Sequence, residues 1–167
     1  LFIAGGVGLA PILGLLRDRL YVGDQRPMRL IYACRWRRDL ILQEELDELA
    51  CGLDLDIVRV VDEQDQPEGA KAGPVGRELL RQCLPGGDRR RIGCFICAPP
   101  GMIDAMETLL VDEGIPPSRI TSERLIVFFE CPETPERPVD PCGGAGRDFA
   151  DSPSVVTVCL DEESQLP

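Results

Sequence analysis

The chain has 167 residues, 44% of them apolar, enough for one compact domain with a tail or one domain plus part of another. Its formal net charge of −11 disfavours a nucleic-acid binder, which would carry a basic face, and the absence of histidine removes the usual acid–base side chain. No stretch reaches the ~20 apolar residues that span a bilayer, and the first residues lack the basic lead and small-residue cleavage pattern of a secretion signal.

Strand and helix signals alternate along the first three-quarters of the chain. Residues 1–4 form an apolar run ending in glycine, which reads as a core strand. Natural chains seldom open inside their own core strand, so a piece cut at a domain boundary is expected. Residues 10–20 carry Ile12, Leu13, Leu15, Leu16 and Leu20 as a helical stripe. Residues 28–33 predict a second strand. Residues 42–50 predict a second helix, with Leu42, Leu46 and Leu49 at helical spacing. A third strand is expected over 55–61 and a third helix over 75–84, stopped by Pro85-Gly86-Gly87. A fourth strand over 92–98 precedes a fourth helix over 101–112, which Gly114 and Pro116-Pro117 end. Residues 120–125 fit a fifth strand. This order implies an α/β fold, a doubly wound parallel sheet of about five strands with helices on both faces.

The character changes after residue 125. Residues 126–154 read as a linker rich in Pro, Gly and acids. Residues 155–160 offer one more strand, with nothing after them in sequence to pair with it. The expected organisation is therefore a domain over 1–125, a linker over 126–154 and a tail over 155–167.

Eight cysteines are scattered along the chain. Cys94 and Cys97 are formally a CxxC pair, but they sit in an apolar run whose alternate residues face opposite sides. A redox or zinc pair needs a turn there, so no metal is expected. Reduced thiols suit a cytoplasmic protein. The basic run Arg89-Arg90-Arg91 reads as a solvated loop.

Two turns carry the chemistry. Gly5-Gly6-Val7-Gly8-Leu9-Ala10-Pro11 follows a strand and opens a helix. Glycines let backbone N–H groups approach a phosphate, the helix N-terminus adds partial positive charge, and Pro11 fits a first turn where its missing donor costs little. Taken alone, the same turn is also a tight connection in any α/β protein. The common dinucleotide fingerprint fails here, because Pro11 replaces its third glycine and Cys34-Arg35 stands where an acid would close the second strand. The second turn, Cys97-Ala98-Pro99-Pro100-Gly101-Met102, also lies at a strand end before a helix. Its prolines force an abrupt bend that can leave Cys97 facing the crevice, where a thiol packs against a nicotinamide ring; alternatively, Cys97 is a buried structural cysteine.

In this order and at this separation, the two turns resemble the nucleotide-binding domain of the ferredoxin–NADP reductase superfamily, over about residues 1–125. Gly5, Gly6, Gly8 and Pro11 match its glycine turn, and Cys97, Pro99, Pro100 and Met102 its cysteine–proline turn. Tyr32 and Arg35 are similar to an aromatic and an arginine after the second strand. Gly73 and Val75 are similar to a segment before the third helix. Residues 114–125 (GIPPSRITSERL) resemble the closing passage, with Glu123 at its acidic position. Three positions depart. Val7 stands where threonine is frequent, Ala98 replaces a glycine and so can crowd the ring, and Leu125 replaces a terminal aromatic, which puts flavin shielding in doubt.

The resemblance implies a module that takes hydride from NAD(P)H and gives it to FAD or FMN held by an upstream barrel domain, with electrons passing on to an iron–sulfur protein or an oxygenase. Cys97 and Glu123 would border the ring contact. Gly6, Gly8 and the first N–H groups of the helix would hold the pyrophosphate, with Val7 and Ala98 beside them. Relatives that use NADP tend to place Ser-Arg after the third strand. Asp62 and Glu63 stand there, and carboxylates repel a 2′-phosphate, so NADH is preferred. Arg35, Arg37 and Arg38 could reach a phosphate from the neighbouring loop or simply be solvated. Trp36 between them could stack on adenine or anchor the loop. Residues 154–167 weakly resemble the opening hairpin of a plant-type ferredoxin, but the cluster's cysteine spacing is absent, so a 2Fe-2S centre is expected only in a longer protein. Two other readings stand beside this one. A non-catalytic nucleotide-binding subunit is allowed by Val7 and Ala98. A conventional dehydrogenase is opposed by the missing histidine and missing acid.

Overall fold

A computed structural model of the chain describes residues 1–61, 71–72, 75–128 and 157–160, with side chains described up to residue 124 except at 71–72. Asp62, Glu63, Gly73 and the linker from residue 129 to 154 lie outside the described residues.

Each apolar run becomes a strand and each stripe a helix. In chain order these are β1 (Phe2–Gly5), α1 (Leu9–Tyr21), β2 (Met28–Cys34), α2 (Gln43–Gly52), β3 (Leu55–Val61), β4 (Lys71–Ala72), α3 (Arg77–Cys83), β5 (Cys94–Ala98), α4 (Pro100–Asp112), β6 (Ile120–Phe128) and β7 (Thr157–Leu160). They form one sheet in the order β4-β3-β2-β1-β5-β6-β7. The five long strands are parallel, as the alternation predicts. β4 was not part of that expectation, and the strand expected within 155–160 forms as β7 but with a partner that the sequence did not reveal. β4 is too short to show a period, and β7 pairs antiparallel with the far end of β6, which runs three residues beyond the expected end.

A parallel sheet is buried on both faces, so its strands feed two cores. On one face, α1 and α2 bring Leu9, Ile12, Leu16 and Leu46 against Ala4, Leu30, Tyr32 and Cys97. On the other, α3 and α4 bring Leu80, Ile103 and Leu110 against Ile3, Ile31, Ile96 and Ala98. Full burial of each such side chain contributes roughly 1.5–3 kcal/mol. Cys94 and Cys97 fall in opposite cores, as strand alternation demands.

The chain builds outward from β1 through β2 to β3, then crosses back and lays β5 on the other side of β1. The connections after β1 and β5 therefore diverge. The crevice between their carboxyl ends is the topological switch point, where open α/β sheets take their ligands.

Candidate dinucleotide site at the switch point

Both turns stand at that crevice. β1 and β5 run in register, with Ala4 opposite Cys97, so the glycine turn and the cysteine–proline turn leave the sheet side by side. Their contact is intimate. A Cβ built on Gly8 would lie 1.9 Å from the Cys97 carbonyl oxygen. A Cβ on Gly5 would lie 2.9 Å from the Ala98 methyl and 3.0 Å from Met102 Sδ. Gly6 differs, with φ of +55° and open space where its side chain would be.

Residues Gly6–Gly8 form a single 3-10 turn that runs directly into α1. No side chain caps the helix, and no acid sits in its first turn. The first N–H groups of a helix have no intrahelical partner and carry partial positive charge. Pro11 is the third residue of the helix and has no donor to lose. An uncapped N-terminus behind a glycine-lined approach fits a pyrophosphate, whose charge and oxygen acceptors match it. Val7 is 57% exposed on the outside of the turn.

The second turn is built by Pro99, the N-cap of α4, and Pro100, its first residue. The Pro99 carbonyl accepts from the N–H groups of Met102 and Ile103. Pro99 and Pro100 are exposed and Met102 is half-buried. Cys97 has no exposed surface; its backbone carbonyl, not its thiol, meets the glycine turn. Burial and, secondarily, the Glu123 carboxylate push the thiol up to about 11, so it stays protonated at neutral pH. Glu123 sits opposite Cys97 in the β5–β6 register and is half-exposed. Its neighbours tie β6 to α4, through Ser122 donating to Glu107 and Arg124 to Asp104. Ala98 is also fully buried, its methyl turned into the α3/α4 core beneath Gly5 and not towards the crevice.

The third wall is the loop after β2. Gly5 is level with Ala33, so the loop rises next to the glycine turn. Arg35 and Arg38 place their guanidinium carbons 5.2 Å from the centre of the Trp36 ring, in cation–π range. Trp36 is half-buried, and Arg35, Arg37 and Arg38 are exposed. Cys34 is level with Val61, the last residue of β3 before Asp62.

The family profile described as "Oxidoreductase NAD-binding domain" matches residues 2–108. The chain belongs to this family. The NAD-binding domain is 36% identical over 124 residues to the propane 2-monooxygenase reductase component of Rhodococcus jostii (strain RHA1), covering 71% of this chain and 33% of that protein. It is 31% identical over 127 residues to the 2-halobenzoate 1,2-dioxygenase electron transfer component of Burkholderia cepacia, covering 74% and 36%. Among solved structures, it superposes on the Amycolatopsis cytochrome P450 reductase GcoB with a TM-score of 0.64 at 27% identity, covering 74% of this chain and 36% of that one. The chain thus spans about a third of the length of these curated relatives.

Within the NAD-binding domain, the structure brings Gly5 and Gly8 against Cys97, Ala98, Pro99 and Met102, with Gly6 open beside them and Arg35 and Glu123 on the two flanks. Sequence reasoning passed over the hydroxyl of Tyr32, because an aromatic in a strand reads as core packing and nothing in the spacing marks the polar tip. A separate cavity of about 630 Å³, lined by Leu1, Arg19, Arg29, Cys94 and Arg119 among others, lies at the opposite, amino end of the strands. None of the motif residues lines it. No described helix is long and apolar enough to cross a membrane.

Proposed function

We propose that this domain holds NADH for a flavin carried by an upstream barrel domain, as the nucleotide-binding module of an electron-transfer reductase. The observation that carries the reading is the contact between Gly8 and the Cys97 carbonyl. It makes one crevice of two turns that lie almost 90 residues apart. When bound, the nicotinamide supplies a hydride, and a flavin (FAD or FMN) divides the electron pair for a one-electron acceptor. The chain's own part is to bind and orient. Gly6, Gly8 and the N–H groups at the entry to α1 that no carbonyl takes hold the pyrophosphate, that of Leu9 being turned to the Gly6 and Val7 carbonyls. Val7, Pro11, Pro99, Pro100 and Met102 wall the approach. Glu123 and Cys97, adjacent across β5 and β6, border the reacting ring, with Glu123 the accessible member of the pair.

The carboxylates of Asp62 and Glu63 in the sequence after β3 support NADH over NADPH, while Arg35 contributes a cation to the same flank. The reductase and electron-transfer relatives support an oxygenase or a ferredoxin-like iron–sulfur domain as the acceptor. The free thiols of Cys34, Cys51, Cys94 and Cys97 support a cytoplasmic location. Steady-state reduction of ferricyanide by the flavin-loaded full-length protein tests the reading. Turnover with NADH is expected, with kcat/KM at least about tenfold above that for NADPH, a difference worth ~1.4 kcal/mol. Absence of turnover despite bound flavin would favour a regulatory subunit, and a preference for NADPH would overturn the cofactor assignment.

A further inference from the structure

The loop that carries Arg35, Trp36 and Arg38 is held from below by two buried side chains of β2. Tyr32 has no exposed surface. Its hydroxyl donates to the Asp39 carbonyl at 3.1 Å and accepts the Ile41 N–H at 3.2 Å. The Cys34 thiol, two residues on and facing the same way, donates to that same carbonyl at 3.3 Å. Cys34 directly follows Ala33, which stands level with Gly5 at the glycine turn. One carbonyl thus collects two side-chain donors from a strand that ends beside that turn. The loop then ends at Leu42, a non-glycine residue at φ of 54°, a conformation that persists only where its surroundings enforce it.

The position of the loop matters for a ligand of dinucleotide length. The pyrophosphate reading fixes the middle of the ligand over β1 and α1, and Glu123 marks one end over β6. Strands stand about 4.8 Å apart, so β2 and β6 are roughly 15 Å apart across the sheet. The other nucleoside therefore falls on the β2 side, where the Arg35–Trp36–Arg38 stack stands.

We infer that the Tyr32 hydroxyl is a positioning residue for the dinucleotide, setting the height of the Arg35–Trp36–Arg38 stack above the glycine turn, with Cys34 as a second anchor on the same Asp39 carbonyl. The inference rests on the dinucleotide reading above and adds a specificity-setting role to a residue that packing alone would fill with phenylalanine.

Trp36 is the only tryptophan in the chain, so its fluorescence reports this loop directly. The test is an NAD⁺ titration of the 167-residue chain, followed by Trp36 emission and by calorimetry, on wild type, Tyr32→Phe, Cys34→Ala and Cys34→Ser. Tyr32→Phe is expected to lower Trp36 anisotropy and to weaken NAD⁺ binding roughly 3- to 10-fold, the worth of one or two hydrogen bonds. Cys34→Ala should shift both readouts the same way by less, and Cys34→Ser, which keeps a donor, should restore them. Were Tyr32→Phe to melt earlier yet keep wild-type affinity and anisotropy, the hydroxyl would be merely structural and the inference overturned. If Tyr32→Phe does not fold, the alanine–serine pair decides, and equal affinity in both would overturn the proposal. No response of the wild-type chain to NAD⁺ would instead sink the dinucleotide reading, and this inference with it.

Discussion

Gly6 and Gly8 are two positions apart and are glycine for different reasons. At Gly8 the obstacle is steric, because its backbone is set by the 3-10 turn into α1, the Cys97 carbonyl is fixed by β5, and no rotamer can make room for a methyl group. At Gly6 the space is open and the obstacle is the backbone, whose φ of +55° costs an L-residue ~1–2 kcal/mol. Gly8→Ala is therefore expected to force the two turns apart, to lose about 3 kcal/mol or more of stability as an overpacked site, and to abolish nucleotide binding. Gly6→Ala should cost about 1–2 kcal/mol and keep the fold. Denaturant melts with NAD⁺ calorimetry on both variants check this, and equal tolerance of the two would contradict it. The spacing of the glycines is legible in the sequence, but the reason for each is not, since Gly8 is dictated by a carbonyl almost 90 residues away. Cys97 illustrates the same limit. A cysteine before two prolines reads equally as crevice-facing or as buried, and only the sheet register decides which way its thiol turns.

Between elements, α3 and α4 are joined by charge at one end as well as by their shared core. Glu113, just past α4, receives Arg77 and Arg81 from α3, with Arg89 3.9 Å away. Arg77 also reaches Asp112. The basic run that reads as a solvated loop thus places one of its arginines beside a carboxylate of the neighbouring helix. Burial acts to raise the Glu113 carboxyl, but its hydrogen bonds from Arg81 and Arg77 prevail and hold it below its ordinary value of 4.5. A carboxyl depressed by folding stabilises the native state above its unfolded value and loses that contribution as pH falls through the folded one. Glu113→Gln should therefore melt earlier than wild type at pH 7, with the gap closing below about pH 4.5. Thermal melts from pH 7 to pH 3 measure it, and a gap that stays constant with pH would contradict the assignment. The long elements were legible because each presents a full period of apolar residues. β4, the 3-10 turn at Gly6–Gly8 and the partner of β7 were not, being too short or paired too far away in sequence to leave a local pattern.

For the molecule as a whole, alternation of strands and helices establishes a parallel sheet but not the strand order. The order that places β5 beside β1 creates the switch point, and only the pairing of two motifs hinted at it. The same topology leaves two concave regions at opposite ends of the strands. The amino end carries a cavity of about 630 Å³, yet the glycine turn, the uncapped start of α1 and the cysteine–proline turn all stand at the carboxyl end. Amide hydrogen exchange with and without NADH asks most directly which end binds. Slowed exchange is expected together in residues 5–11 and 97–102, with a smaller effect in the loop at 35–41. Protection confined to the segments around Leu1, Arg29 and Arg119, or to one of the two turns alone, would contradict the account.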